Sequence, residues 1–370
     1  MTGRLTQNWI QYQFSNASVH LVQALADVTI ADFSRVLAGP YATMLLADLG
    51  ATVIKVERPG TGDDTRAWGP PHVDGVSTYF MGLNRNKRLV SLDLADPAAL
   101  ELASSADVVV ENFRPGTMAR YGLDYASLSA VNPRLVYCSI TGFGPSSSLP
   151  GYDLLVQAVG GLMSVTGVAG SPTKAGVALV DVITGLHAMA GILAALRHVS
   201  TSGEGQLVEV SLLSSLLSAL VNQSAGYVMA GAVPTAMGNA HPSVAPYAVF
   251  SAKDRPIVLA VGNDKQFAAL CSALSLPVDP RFASNSLRVA NQAELTAVIN
   301  SRLSTQDAAH WFTVLNDAGV PCGPINDVAE AVALASSVGL SPVVSIDGLP
   351  HIANPISLSR TPAEYRSNPR

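Results

Sequence analysis

A chain of 370 residues with 48% hydrophobic and 13% charged residues is long enough for two domains and too rich in core-forming side chains for a disordered protein. Its net charge of −5 and pI near 5.8 leave no electrostatic footprint for nucleic acid or an anionic membrane. Three widely spaced cysteines, Cys138, Cys271 and Cys322, and a polar N-terminus with neither a basic start nor an apolar core point to a reducing cytoplasm, and no spacing of His, Cys and acids suits a metal.

Residues 1–25 show no sustained period and are expected to form an N-terminal arm. A strand is predicted over 27–32, then a loop ending at Gly39, a helix opened by Pro40 and closed by Gly50, and a second strand over 52–57. Apolar strands recur at 89–94, 108–111 and 135–140, separated by helical segments at 97–104 and 117–131. This alternation predicts an α/β fold with a Rossmann-like parallel sheet. Ligands of such sheets sit beyond the C-terminal strand ends, which gives weight to Arg35, Arg58, Asn112, Phe113, Arg114 and residues 141–144.

Those residues do not spell a dinucleotide fingerprint: the first turn has Gly39 alone, which argues against a nicotinamide or flavin dehydrogenase. Glu57 can bond a ribose hydroxyl and Arg58 a phosphate on the same sugar, as in coenzyme A; equally, Arg58 is a solvated surface charge, and the same holds for Arg120 and the cluster Arg85, Lys87 and Arg88.

The stretch 176–187 delivers one carboxylate, Asp181, to the start of an apolar helix. From Val182 to Leu196 no residue is charged, and Gly185, Ala188, Gly191 and Ala195 predict a buried helix with other backbone packed close. Two readings of Asp181 stay open: an N-cap for the first-turn N–H groups and nothing more, or that same cap with a job added, a carboxylate kept ionised by the helix end and able to attack an activated acyl group. The uncharged run 210–252 is broken by serines, Asn222 and Gln223, which predicts a buried helix over 211–230 in place of a membrane span. Gly238 and Asn239 then open a turn-rich loop whose N–H groups either bind a developing oxyanion or belong to a plain interdomain turn. The organisation expected is a large α/β domain over 26–205 completed by 331–370, a helical connector over 206–236, and a smaller α+β domain over 237–330.

In order along the chain, Asp32-Phe33-Ser34-Arg35-Val36-Leu37-Ala38-Gly39-Pro40, Lys55-Val56-Glu57-Arg58-Pro59-Gly60, Asn84-Arg85-Asn86-Lys87-Arg88, Glu111-Asn112-Phe113-Arg114-Pro115-Gly116, Gly151-Tyr152-Asp153, the Asp181 stretch, Gly238-Asn239-Ala240-His241-Pro242 and Val320-Pro321-Cys322-Gly323-Pro324 resemble the class III CoA-transferase family, relatives of which include formyl-CoA transferases, carnitine CoA-transferases and α-methylacyl-CoA racemases. The resemblance implies transfer of coenzyme A from an acyl-CoA to a free carboxylic acid through an anhydride and a thioester on Asp181, with the Gly238–Asn239 loop stabilising oxyanions. It also implies that Arg35, Val36, Arg58, Leu92, Asn112, Phe113, Arg114 and Arg120 hold coenzyme A as a co-substrate, that no cofactor is bound permanently, and that two chains form an interlocked homodimer. The alternative is an acyl-CoA racemase or epimerase using Asp181 as acid and base. Tyr152 stands where racemases carry an acid–base His, which argues against racemisation, and Leu37 stands where formyl-CoA transferases carry Gln, which argues against formyl or oxalate chemistry.

Overall fold

The computed structural model describes residues 23–369, so all but the last three residues of the expected arm at 1–25 lie outside the described residues. Six parallel strands make the main sheet: β1 (Thr29–Asp32), β2 (Thr52–Glu57), β3 (Lys87–Ser91), β4 (Val108–Glu111), β5 (Val136–Thr141) and β6 (Leu207–Ser211). Their order across the sheet is β3-β2-β1-β4-β5-β6. The strand order reverses between β1 and β4, and the crevice beyond their C-terminal ends is where sheets of this order take ligands.

Two helices matter most for what stands in that crevice: α1 (Ala38–Asp48), directly after the β1 loop, and the 24-residue α2 (Leu179–Ser202). Buried Val180, Thr184, Gly185, Ala188, Ile192, Ala195 and Val199 recur at spacings of three and four, so α2 buries a single stripe. Its opposite side carries Leu186 at 42% exposure, which corrects the expectation of a helix buried on all sides. Close packing does explain the glycines: a Cβ on Gly185 would stand 2.6 Å from the Ala38 carbonyl oxygen, and one on Gly191 2.7 Å from Val208. Small residues thus let α2 lie against the first turn of α1, the turn that follows the ligand-side loop.

Three further segments differ from expectation. The predicted strand at 89–94 begins earlier, at Lys87, because the Lys87 ammonium reaches inward to Asp32 at 3.0 Å. Lys87 and Arg85, read as surface charges, are buried ion-pair partners; Arg85 holds Asp48 at 2.7 Å. The stretch 206–236, expected as a helical connector, starts with edge strand β6, whose alternating Leu207, Val208, Glu209 and Val210 pair with β5. The single helix expected over 211–230 is two, Leu212–Ala219 and Asn222–Ala230, because Val221 between them turns to a φ of 40° and breaks the helical path.

A second core gathers Phe250, Ile257, Leu259, Leu270, Leu295, Ile299, Trp311 and Leu315. There an antiparallel sheet of Tyr247–Ser251, Pro256–Ala260 and Cys322–Pro324 meets helices Asp264–Ala273, Gln292–Leu303 and Ala308–Asp317. The final segment returns to the first sheet's helices. Asn354 donates to Asp48 at 3.2 Å, Asn86 donates to the Glu364 carbonyl at 2.7 Å, and Arg366 donates to the Ala47 carbonyl at 2.8 Å. Asp48 therefore binds Arg85, Asn86 and Asn354 at once, and its buried charge is met from three sides.

Candidate active site

The site begins where β1 and β4 end. Asn112, after β4, accepts the Arg35 N–H at 2.8 Å and returns its own amide N–H to the Arg35 carbonyl at 2.7 Å, so one side chain bridges the reversal point of the sheet. Beneath this loop lies a buried chain of charges. Asp32 accepts the Ser34 N–H and hydroxyl, the Thr43 hydroxyl and the Lys87 ammonium. Lys55 donates to the Ser34 carbonyl at 2.8 Å and pairs with Asp63 at 3.0 Å. Asp63 in turn accepts the Val36 N–H at 3.3 Å and the Thr65 N–H at 3.0 Å.

Burial opposes charge on Asp32, but Lys87 and Lys55 outweigh it and hold the carboxyl below its usual range. The same burial pushes the Lys87 ammonium down to about 8. Val36 sits at φ 67°, a left-handed conformation that a β-branched residue takes only when its surroundings enforce it, and Asp63 and Asn112 supply that enforcement on either side of it.

Three recesses follow one another from this loop. Arg35, Arg58, Leu92 and Phe113 line the first, about 120 Å³, with Glu57 and Tyr121. Arg35 then reappears with Val36, Asn112 and Arg114 around a larger cavity of about 490 Å³ that Asp181 closes. Asp181, Asn112 and Arg114 also line a small third recess next to Thr141 and Gly142. The Arg35 guanidinium lies over the Phe113 ring at 4.7 Å, and its pKa is lowered by burial first and by the neighbouring Arg58 second. Two guanidiniums held side by side against their mutual repulsion describe a seat for an anion.

Other sequence-predicted residues fall differently. The Glu57 carboxylate, expected at a ribose hydroxyl, is held by Arg66 at 2.6 and 2.9 Å and by the Asp63 N–H at 3.0 Å, so it fixes the 57–66 turn. Arg120 is exposed and lines none of the three recesses, although its neighbour Tyr121 lines the first. Gly238 and Asn239 do not line the Asp181 cavity either; the Gly238 N–H is donated to the Gly167 carbonyl at 2.7 Å and is not free for an oxyanion.

For Asp181 the structure corrects the capping role that both readings shared. Helix α2 starts at Leu179, which makes Asp181 its third residue and not its cap. The capping is done from outside by Asp153, whose Oδ2 accepts the Val180 N–H at 2.8 Å and the Asp181 N–H at 3.1 Å. Asp153 opens a further helix, Asp153–Val159, and its Oδ1 accepts the Gln157 amide N–H at 2.5 Å. With the first turn satisfied by Asp153, the Asp181 carboxyl faces the cavity. Burial and the charge of Asp153 push its pKa up to about 7, which corrects the expectation that the helix end keeps it ionised. Two carboxylates in one partly dry place disfavour each other's charge more than one helix terminus favours it. Tyr79, lining the same cavity, is pushed up to about 12 by burial and then by Asp181, so it remains a hydroxyl donor there.

Sequence reasoning missed Asp153, Gln157, Tyr79 and Lys174 as cavity residues. Two polar residues four apart, Asp153 and Gln157, in an otherwise apolar helix were the available signal for the first pair. Tyr79 and Lys174 carried no comparable pattern.

Comparison with known proteins fits this geometry. The model of a family described as CoA-transferase family III matches residues 25–370. A succinate–glutarate CoA-transferase of Agrobacterium fabrum is 42% identical over 369 residues, covering 94% of this chain and 92% of that protein. An acetyl-CoA:oxalate CoA-transferase of Acetobacter aceti is 42% identical over 342 residues, covering 89% and 88%. Among solved structures, a CAIB/BAIF family protein from Brucella suis superposes with a TM-score of 0.83 at 41% identity, covering 94% of this chain and 96% of that one.

The titration of Asp181 has a consequence for stability. An acid whose pKa is raised on folding holds its proton longer in the native state, so stability falls as pH climbs from the unfolded value near 4 to about 7 and is lowest above that. Asp181→Asn removes the charge and should be more stable than the parent by roughly 2–4 kcal/mol at pH 8, with the gap closing near pH 4. Denaturant unfolding of both proteins at the two pH values measures this; a gap independent of pH contradicts the assignment.

Proposed function

The chain belongs to CoA-transferase family III and is a CoA-transferase, and on that premise we propose that Asp181 carries the acyl group and then the coenzyme A covalently between an acyl-CoA donor and a dicarboxylic acid acceptor. The observation that carries this reading is the relief of Asp181 from capping: Asp153 takes the α2 N–H groups, and the nearby carboxyl is left facing a cavity bordered by cations.

The steps balance as follows. The ionised Asp181 oxygen attacks the thioester carbonyl of the donor, the C–S bond breaks, and coenzyme A leaves as thiolate, giving a mixed anhydride. The thiolate attacks the Asp181 side of the anhydride, which releases the donor acid and forms an aspartyl thioester. The acceptor carboxylate attacks that thioester, the thiolate leaves, and its return to the acceptor side of the new anhydride frees Asp181. Keeping the thiolate close and water out preserves the energy of the thioester through all four steps. Arg58 and Arg35, in the first recess, suit the phosphates of the nucleotide end, with the pantetheine arm passing Val36 and Asn112 toward Asp181. Tyr79, protonated at all working pH values, is a donor available to the oxyanions. The two relatives are named for succinate and glutarate and for acetyl-CoA and oxalate, so each has a dicarboxylic partner while one donor is monocarboxylic, and a dicarboxylic acceptor is the substrate class assigned.

The homodimer of interlocked chains belongs to the same proposal. Support comes from exposed Val221, Tyr227, Val228 and Met229, apolar side chains that a second chain would cover. Such a dimer exchanges no subunits without unfolding, so mixing tagged and untagged protein should give no mixed dimers over days; rapid mixing excludes interlocking.

Covalent carriage is tested with hydroxylamine. Protein incubated with succinyl-CoA and quenched with hydroxylamine should carry a hydroxamate at Asp181 and lose activity in step with its formation. Asp181→Ala should show neither hydroxamate nor transfer, and retained transfer in that variant defeats the proposal.

A further inference from the structure

We infer that Lys174 is the specificity residue that binds the second, non-reacting carboxylate of the acid; the inference rests on the CoA-transferase reading of the same cavity. Three cations line the cavity that Asp181 closes: Arg35, Arg114 and Lys174. Arg35 also lines the recess of Arg58, and Arg114 the small recess beside Asn112 and Phe113, which places both on the strand-end side that receives the coenzyme. Lys174 lines the cavity from a different segment, the one that leads into α2 and Asp181, and is exposed there. It forms no ion pair among the described residues, and its ammonium meets only the carbonyl of the adjacent Ala175, at 3.1 Å.

Its position is set by the groups that set Asp181. The Ala175 N–H donates to the Gln157 side-chain oxygen at 2.8 Å, the Gln157 amide donates to Asp153 at 2.5 Å, and Asp153 accepts the Asp181 N–H at 3.1 Å. Gln157 is buried, so the backbone beside Lys174 and the helix start at Asp181 hang from two side chains one turn apart on one helix, while the exposed Lys174 side chain stays free to swing. The electrostatics require such a cation. A dicarboxylate entering this cavity meets Asp64, Asp153 and Asp181, and its second charge is repelled unless a positive group receives it. A monocarboxylate has no second charge to place. A flexible ammonium suits acids of different length better than a rigid fork does.

The test compares glutarate with pentanoate, which has the same chain length and one carboxylate fewer, as acceptors with succinyl-CoA as common donor. Because donor and acceptor react in separate halves, the ratio of their kcat/KM values reports the acceptor half alone. The parent protein should favour glutarate, Lys174→Met should lower the ratio about ten-fold or more, and Lys174→Arg should restore most of it. A ratio unchanged in Lys174→Met, or an equal loss for both acids, overturns the role of Lys174 and leaves the proposed function standing. Failure of the parent protein to move coenzyme A between any acyl-CoA and acid overturns the function and this inference with it.

Discussion

The proposed chemistry depends on the capping of one helix by a side chain of another. The first turn of α2 needs a carboxylate, and Asp153 provides it from outside, accepting two N–H groups with one oxygen. Asp181, which by position is the natural candidate for the same duty, is thereby left to the cavity. The price is electrostatic: two carboxyls share a partly dry region, and Asp181 gains its proton near neutrality. In the role proposed for it, a carboxyl poised at about 7 would be half available at neutral pH and a stronger nucleophile than an ordinary aspartate, because basicity and nucleophilicity rise together. Stability lost by holding this carboxyl off its usual range is the cost of a reactive group in a fixed place.

The opposite wall of the site is held by the same logic with charges of both signs. Asp32, Lys87, Lys55 and Asp63 form a buried chain whose members all reach the loop after β1, by Ser34 or Val36 or through each other. Buried pairs of this kind add little to stability compared with apolar packing, but they fix direction. Here they hold Val36 in a conformation it would not choose and leave Arg35 free to face Arg58 and the first recess. One wall is thus a rigid anion seat, the other a helix end whose half-buried carboxyl lines the cavity. Gly185, pressed on the Ala38 carbonyl, sets the distance between them.

Much of this was legible in the amino-acid sequence because it is local. Short apolar runs gave most of the parallel strands, and residues just beyond strand ends gave Arg35, Asn112 and Arg114, three of the groups that share the cavity with Asp181. The same loop logic failed for Glu57, whose carboxylate is claimed by Arg66 nine residues on. Pairings between distant segments were not legible. Nothing near Asp181 in sequence shows that a carboxylate 28 residues earlier will cap its helix. Nothing in a run of basic residues shows that Arg85 and Lys87 will meet Asp48 and Asp32 in the interior while Arg88 stays exposed. β6 was masked by the helical run behind it, and the placement of Gly238 depends on a carbonyl in a remote hairpin.

The central claim is that Asp181 exchanges its own oxygen with the acids it serves, and isotope transfer measures it most directly. With both carboxylate oxygens of the acceptor acid labelled as 18O, the bridging oxygen of the second anhydride comes from the acceptor and stays on Asp181 when the thiolate departs with the acyl group. Mass spectrometry of the peptide containing Asp181 after turnover should show one and then two heavy oxygens there and none on Asp153. Product acyl-CoA formed with Asp181 unlabelled would contradict the account, since coenzyme A would then have passed between the acids without a covalent stop on this residue.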